Sequence, residues 1–342
     1  MKNKLLICCG TRPEWIKIQP IVKKLQSGKH PFELLHTGQH TSLLSGVPAT
    51  RILDIINGPN RLDSIVQSVL NNENIFTGIT HVMVQGDTTS AFALALAAFH
   101  RNIPVIHLEA GLRTYDVNNP WPEEINRRCI SSFTSIHLCP TTNNKKQLTN
   151  EGIGGAMWVV GNTGLDNLIH LLDKIEYKNE VLITLHRREN HHNMDRWFVE
   201  LSKLAKENPH LLFTFPIHPN PNVQRHKHLL QNINVIDPLG YDDMLNKIVK
   251  CRLIISDSGG IQEEASFLKK KVIVCRKTTE RPESLNETSF LCGDPEELKE
   301  VFDFIISNGY IVSDKCICPY GDGHASETIM KILFLEGVYE DV

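Results

Sequence analysis

The sequence predicts an α/β chain of two domains, each built on a parallel sheet, and three observations carry that prediction. Strand-length apolar runs alternate with amphipathic segments along the whole chain, which is the pattern of βαβ units. The runs fall into two series of six, LLICC, FELLHT, HVMVQ, VIHLE, SIHLC and WVV, then VLITLH, LLFTFP, NVID, LIISD, KVIVC and SFLC. A charged, helix-like stretch near residues 166–180 separates them, and 342 residues suffice for two domains of ordinary size. The expected divisions are 1–168, 169–325 and a closing amphipathic helix over 326–342.

Charge and composition narrow the function. With 36 Lys and Arg against 39 Asp and Glu, the net charge of -3 offers no basic excess for nucleic acid. The apolar run at the N-terminus, MKNKLLICCG, is too short for a secretory leader, and nothing later reaches the length of a membrane span. A cytoplasmic protein without membrane insertion is expected. Nine cysteines, an odd number, lie mostly inside strand-like runs and read as small buried apolar groups in a reducing compartment. Cys316 and Cys318 form a C-x-C with no second pair at ligand spacing, so no metal is expected.

Each strand of the first series ends on polar chemistry. The first runs into Gly10-Thr11-Arg12-Pro13-Glu14, where Arg12 could hold a phosphate through its fork of donors. Lys17 follows one helical turn later and reads either as facing the same anion or as a solvated position. The second strand ends in Gly38-Gln39-His40 and the third in Gly86-Asp87-Thr88-Thr89, where Asp87 reads as a helix N-cap or as a site carboxylate. The fourth ends in Glu109, directly after the apolar VIHL and before Ala-Gly. A half-buried carboxylate there suits acid or base work, with Arg113 the expected partner. Pro122 sets Glu123 and Glu124 at a helix start, favourable for carboxylates in any case, and Asp116 to Asn119 read as plain loop.

The second series does the same. His186 ends a strand beside Arg187 and Arg188, cations that would keep its imidazole neutral, while His191 and His192 read as surface. His218 precedes a proline-rich turn. Ser258-Gly259-Gly260 opens a helix after Asp257, a serine N-cap with glycines that let a phosphate approach free N–H groups. Glu264 lies further along that helix, in reach of ribose hydroxyls. Ligands of open parallel sheets bind off the carboxyl ends of strands. Two such sheets facing each other would line a cleft with these groups.

Together the stretches GTRPEWIKIQP, TGQH, VQGDTTS, HLEAGLRT, PWPEEINR, GNTGLDNL, TLHRREN, HPNPNV, SDSGGIQEEA, TTERPE and PYGDGHAS resemble the UDP-N-acetylglucosamine 2-epimerase family, in family order from residue 10 to 326. The resemblance implies a GT-B architecture, two Rossmann-like domains facing across a nucleotide-sugar cleft, with the last helix packing back on the first domain. It implies UDP on the second domain: Ser258, Gly259 and Gly260 at the diphosphate, Glu264 at the ribose, Arg281 at the uridine end or its phosphate. Arg12, with Lys17 nearby, would reach the diphosphate from the first domain. It maps acid/base roles onto Asp87, Glu109, Glu123 and His186. It implies a UDP-sugar substrate, no cofactor and a homodimer. A hydrolysing relative that releases UDP and a GT-B glycosyltransferase with the same UDP pocket are the competing readings. Two stretches depart from the family pattern. Tyr241-Asp242-Asp243-Met244 has Met244 at the Phe position of a Tyr-x-x-Phe stretch, and Thr41 to Asn72 reads as shortened, with Pro59-Asn60-Arg61-Leu62 where a Gly-Gln-x-Leu is usual.

Overall fold

The computed structural model describes residues 3–38, 49–56 and 58–335. The expectation placed on Gln39 and His40 lies outside these. The chain divides into two compact units, residues 1–167 with 320–342, and residues 168–319.

The first unit carries β1 (Leu5–Cys9), β2 (Phe32–His36), β3 (Arg51–Ile52), β4 (His81–Gln85), β5 (Val105–Leu108), β6 (Ile136–Cys139) and β7 (Ala156–Val159). They form one parallel sheet in the order β3-β2-β1-β4-β5-β6-β7. Its helices are α1 (Arg12–Ser27), α2 (Arg61–Leu70), α3 (Thr89–His100), α4 (Glu123–Phe133) and α5 (Thr142–Asn150). Strand side chains alternate between two faces. Ile7, Met83, Ile106 and Leu138 pack with Ile18, Ile21 and Leu25 of α1, whereas Leu6, Cys8, Val82 and Val105 pack beneath α3. The small residues of α3, Ala91, Ala93, Ala95, Ala97 and Ala98, are all fully buried, which lets that helix sit close to the sheet.

The second unit carries β8 (Glu180–Thr184), β9 (Leu212–Pro216), β10 (Asn234–Ile236), β11 (Leu253–Ser256), β12 (Val272–Val274) and β13 (Ser289–Leu291), all parallel, in the order β10-β9-β8-β11-β12-β13. Its helices are α6 (Met194–Glu207), α7 (Pro221–Gln224), α8 (Tyr241–Lys250), α9 (Gly259–Phe267) and α10 (Leu298–Ser307). One core joins Val181, Ile183, Phe213, Phe215 and Ile255 with Trp197, Phe198 and Leu201 of α6.

The first series thus has seven strands where the apolar runs predict six, because β3 is two residues long, too short to show a period. The stretch near 166–180 is not an α-helix but two 3₁₀ turns, Thr163–Asn167 and Ile169–Lys174. Its polar side chains bond elsewhere: Thr163 Oγ1 donates to the Lys17 carbonyl (2.6 Å) and Asn167 Nδ2 to the Ile16 carbonyl (2.8 Å). The last described helix, α11 (Ala325–Met330), runs into a π-helical turn over Lys331–Leu335. Asp166 caps it from far upstream, accepting from the N–H groups of Ala325 (3.1 Å) and Ser326 (2.8 Å). Ile329, Ile332 and Leu333 enter the α1 face of the first core; residues 336–342 of the expected helix lie outside the described ones.

In each sheet the strand order reverses once, between β1 and β4 and between β8 and β11. Such switch points are where open α/β sheets take ligands, and the strand ends that carry Arg12, Asp87, His186 and Ser258 flank them.

Candidate active-site residues of the two units

In the first unit, Thr11 caps α1 and forms a capping box with Glu14. Glu14 is fully buried: Oε2 accepts from Gly10 N (2.9 Å), Thr11 N (2.6 Å) and Thr11 Oγ1 (2.9 Å), and Oε1 from Thr88 Oγ1 (2.7 Å). Burial pushes its carboxyl up to about 7 against the pull of those bonds. This one side chain fixes the tips of β1 and β4 together, and so sets where Arg12 and Asp87 stand.

Glu109 follows β5 with φ at +69°, a left-handed conformation uncommon outside glycine, and its N–H donates to the Leu138 carbonyl (3.1 Å). Its Oε1 accepts from Lys17 Nζ at 2.5 Å and its Oε2 from Gln85 Nε2. Lys17, Gln85, Leu108, Glu109, Pro140, Gly161, Asn162 and Thr163 line a small pocket here. The partner expected from sequence is therefore corrected. Arg113 is buried on Glu151 (2.8 Å), Ser131 (2.9 Å) and the Leu112 carbonyl (2.9 Å), and the cation on Glu109 is Lys17, brought across from α1. Sequence nearness misled here, because a strand tip faces the helix packed over its sheet.

Asp87 is not a helix cap; Thr88 caps α3 through Ala91 N (3.1 Å). Asp87 pairs with Arg127 (2.6 Å), and its carbonyl accepts from Asn126 Nδ2 (2.8 Å). Arg127 also meets Glu124 (3.3 Å), so α4 is tied to the tip of β4. Glu124 is more than a helix-start carboxylate: fully buried, it accepts from the N–H groups of Thr114 (3.0 Å) and Tyr115 (3.2 Å). Glu123 opens α4 in a half-buried position.

In the second unit, Asp257 is fully buried after β11 and accepts from His186 N (3.0 Å), Arg187 N (2.8 Å) and Asn190 Nδ2 (3.1 Å). The His186 ring stacks on His218 (5.0 Å, 14°) with Nδ1 3.6 Å from Asp257, and its side chain is 36% exposed. Its imidazole is held below the ordinary histidine value first by burial; Asp257 opposes this, and Arg187, His218 and His191 add to it. The reading from neighbouring cations alone omitted the larger cause.

Ser258 stands at the N-cap of α9, but its side chain makes no cap bond. Its N–H donates instead to Ser256 Oγ (3.0 Å). A Cβ on Gly259 would collide with the Arg281 guanidinium, whereas one on Gly260 would meet only Ser258 Oγ at 3.9 Å. Gly259 thus lets a buried arginine lie against the first turn of α9. Arg281 Nε bonds Glu263 (2.8 Å) and Nη1 bonds Glu280; Arg276 holds Glu280 (2.8 Å) and Glu189 (2.5 Å). Glu264 accepts from Tyr241 Oη (3.3 Å).

Sequence reading missed Gln85 and Arg127 and named Asp257 only as a strand end. A polar residue ending an otherwise apolar strand was the available signal for Gln85. For Arg127, on the interior face of α4, none was.

Two parallel-sheet units of this kind make a protein of the GT-B type, a likeness that extends to MurG of Acinetobacter baumannii (TM-score 0.59, 13% identity, 97% of this chain and 99% of that one), which shows the fold alone. A family model described as UDP-N-acetylglucosamine 2-epimerase matches residues 23–334. The chain is similar to the UDP-N-acetylglucosamine 2-epimerase of Campylobacter jejuni, 36% identical over 97% of this chain and 98% of that one, and to that of Neisseria meningitidis, 36% identical over 96% and 99%. The crystal structure of the Neisseria meningitidis enzyme bound to UDP-GlcNAc superposes with a TM-score of 0.88 at 35% identity, covering 97% of this chain and all of that one. The chain belongs to the UDP-N-acetylglucosamine 2-epimerase family, and with it the protein is an enzyme of the isomerase type. Among the described residues, no helix is long and apolar enough to cross a membrane.

Proposed function

We propose that the protein interconverts a UDP-2-acetamido sugar with its C2 epimer, UDP-GlcNAc with UDP-ManNAc or a related 6-deoxy or L-configured pair. The observation that carries this reading is the Lys17–Glu109–Gln85 cluster at the switch point of the first sheet, a carboxylate held for proton transfer in a chain that aligns end to end with such epimerases.

The C2 hydrogen of a hexosamine is not next to a carbonyl, so its direct removal is very unfavourable. In the proposed route the C1–O bond breaks with its electron pair going to UDP, while a carboxylate takes the C2 proton. A 2-acetamidoglucal remains beside UDP. UDP then adds back at C1 and a proton arrives on the opposite face of C2. Glu109, Asp87, Glu123 and His186 are the acid/base candidates. Arg12 and the first turn of α9, at Ser258, Gly259 and Gly260, would take up the charge on the leaving diphosphate. Arg281, Glu264 and His218 complete the UDP set, with Glu264 on the ribose. The reading invokes neither cofactor nor metal, and it takes the enzyme as a cytoplasmic homodimer.

Incubation with UDP-GlcNAc in deuterated water, followed by NMR, tests it. Deuterium at C2 of both epimers with UDP remaining attached is expected. Free UDP rising in step with turnover would instead make the enzyme a hydrolysing epimerase, and no exchange at C2 would overturn the reading for this sugar.

A further inference from the structure

We propose that Gln85 is a positioning residue for Glu109: its amide aims the carboxylate toward the C2 proton. The inference rests on the function proposed above.

Glu109 accepts from Lys17 on Oε1 and from Gln85 on Oε2. Both oxygens of the carboxylate only accept, so each donor fixes one edge of it. The two donors are unlike. Lys17 reaches Glu109 on a flexible four-carbon stem and is a point charge. An ammonium alone would draw the carboxylate wherever the stem settled. Gln85 is 3% exposed and ends β4, in register with Leu108 of β5. The backbone just beyond it is fixed as well: Gly86 N donates to the Leu108 carbonyl (2.9 Å), and the Gly86 carbonyl accepts from His107 Nε2 (2.8 Å). Burial holds that imidazole neutral, down at about 3, so its single ring proton lies toward Gly86. Gly86 closes the other side of the carboxylate, because a Cβ there would stand 3.4 Å from Oε2.

Chemistry decides the orientation of the amide. An ionised carboxylate only accepts, so the NH₂ end of Gln85 must face it. Burying an amide at the end of HVMVQ is costly unless it is bonded. The amide supplies a tether that is rigid and uncharged, so Glu109 is held in place without losing its capacity to take a proton.

The variant Gln85→Met keeps length and bulk and removes the donor. The expected result is a fall in kcat of about 10- to 100-fold, the cost of a misplaced reacting group, with KM for UDP-GlcNAc and UDP affinity changing less than about threefold. The isotope effect with substrate deuterated at C2 should rise, since proton removal becomes slower. A kcat within about twofold of wild type, or a parallel loss of UDP affinity with no change in isotope effect, would overturn the assignment. If Gln85→Met does not fold, Gln85→Asn retains a polar amide one methylene too short and should show the same split. If wild type itself exchanges no proton at C2, the proposed function fails, and Gln85 is then judged without turnover. The ¹³C signal of the Glu109 carboxyl, identified by its loss in Glu109→Gln, should move in the Gln85 variant; an unmoved signal overturns the positioning role whatever the substrate.

Discussion

Glu109 and Asp257 occupy like positions, each a carboxylate just past an inner strand of a parallel sheet, yet they are held in opposite ways. Asp257 is fully buried and accepts from two backbone N–H groups and an asparagine amide, donors that never change charge and cannot move. Glu109 lines a pocket and is held by two side chains, a lysine and a glutamine. The first arrangement uses a carboxylate to fix the β8 turn on which His186 sits. The second holds one between side chains at a pocket wall, where the proposed proton transfer would need it. What surrounds a strand-tip carboxylate, more than its place in the chain, separates structural from chemical use.

That contrast can be broken by experiment. The largest effect is expected of Glu109→Gln: turnover should fall about 10³-fold, the scale of a lost general base, with UDP affinity unchanged in the folded variant; an intact rate would remove Glu109 from the chemistry. Asp257→Asn should act on the fold instead, costing about 2–3 kcal/mol in urea unfolding because an NH₂ is forced against donors. A variant as stable as wild type but inactive would reverse the comparison.

A smaller effect comes from pH. His107 and His137, neighbours across β5 and β6, are pushed by burial to about 3 and about 4. Below about 6.5 the unfolded chain takes up protons that the folded one refuses, so stability present above 6.5 is lost as pH falls toward 4, by about 1.4 kcal/mol per pH unit for each histidine. Glu14, raised to about 7, works the other way, since the folded state holds its proton first and gains stability as pH falls from 7 toward 4.5. Thermal unfolding between pH 7 and pH 5 should show a net loss, and Glu14→Gln should steepen it. Smallest is Arg12→Ala, expected to weaken UDP by about fivefold to tenfold in calorimetry; unchanged binding would remove Arg12 from the proposed UDP set.

The strand series and the two-unit plan were legible because the inner strands β1, β4, β5, β6, β8, β11 and β12 are buried along their whole length and so read as apolar runs. Glu109 was legible for the same reason, as a charge placed where the run stops. Its partner was not, since Lys17 lies 92 residues away in sequence and only packing of α1 over the sheet joins them. The role of Glu14 was hidden likewise: a capping-box glutamate is usual at the start of a helix, and only the fold brings Thr88 against it. Ser258 shows the converse, a good cap residue whose side chain makes no cap bond. Local propensity marks where elements begin; side-chain partners across the sheet are set by topology, which no local window contains.

The cap that Asp166 places on α11 bears on the order in which the protein is made. Ile329, Ile332 and Leu333 complete the core against α1, yet the whole second unit is synthesised before they exist. The first unit is therefore begun first and finished last. Until its closing segment leaves the ribosome, part of its apolar face stays open to water and to other chains, while the second unit already holds its full complement of strands.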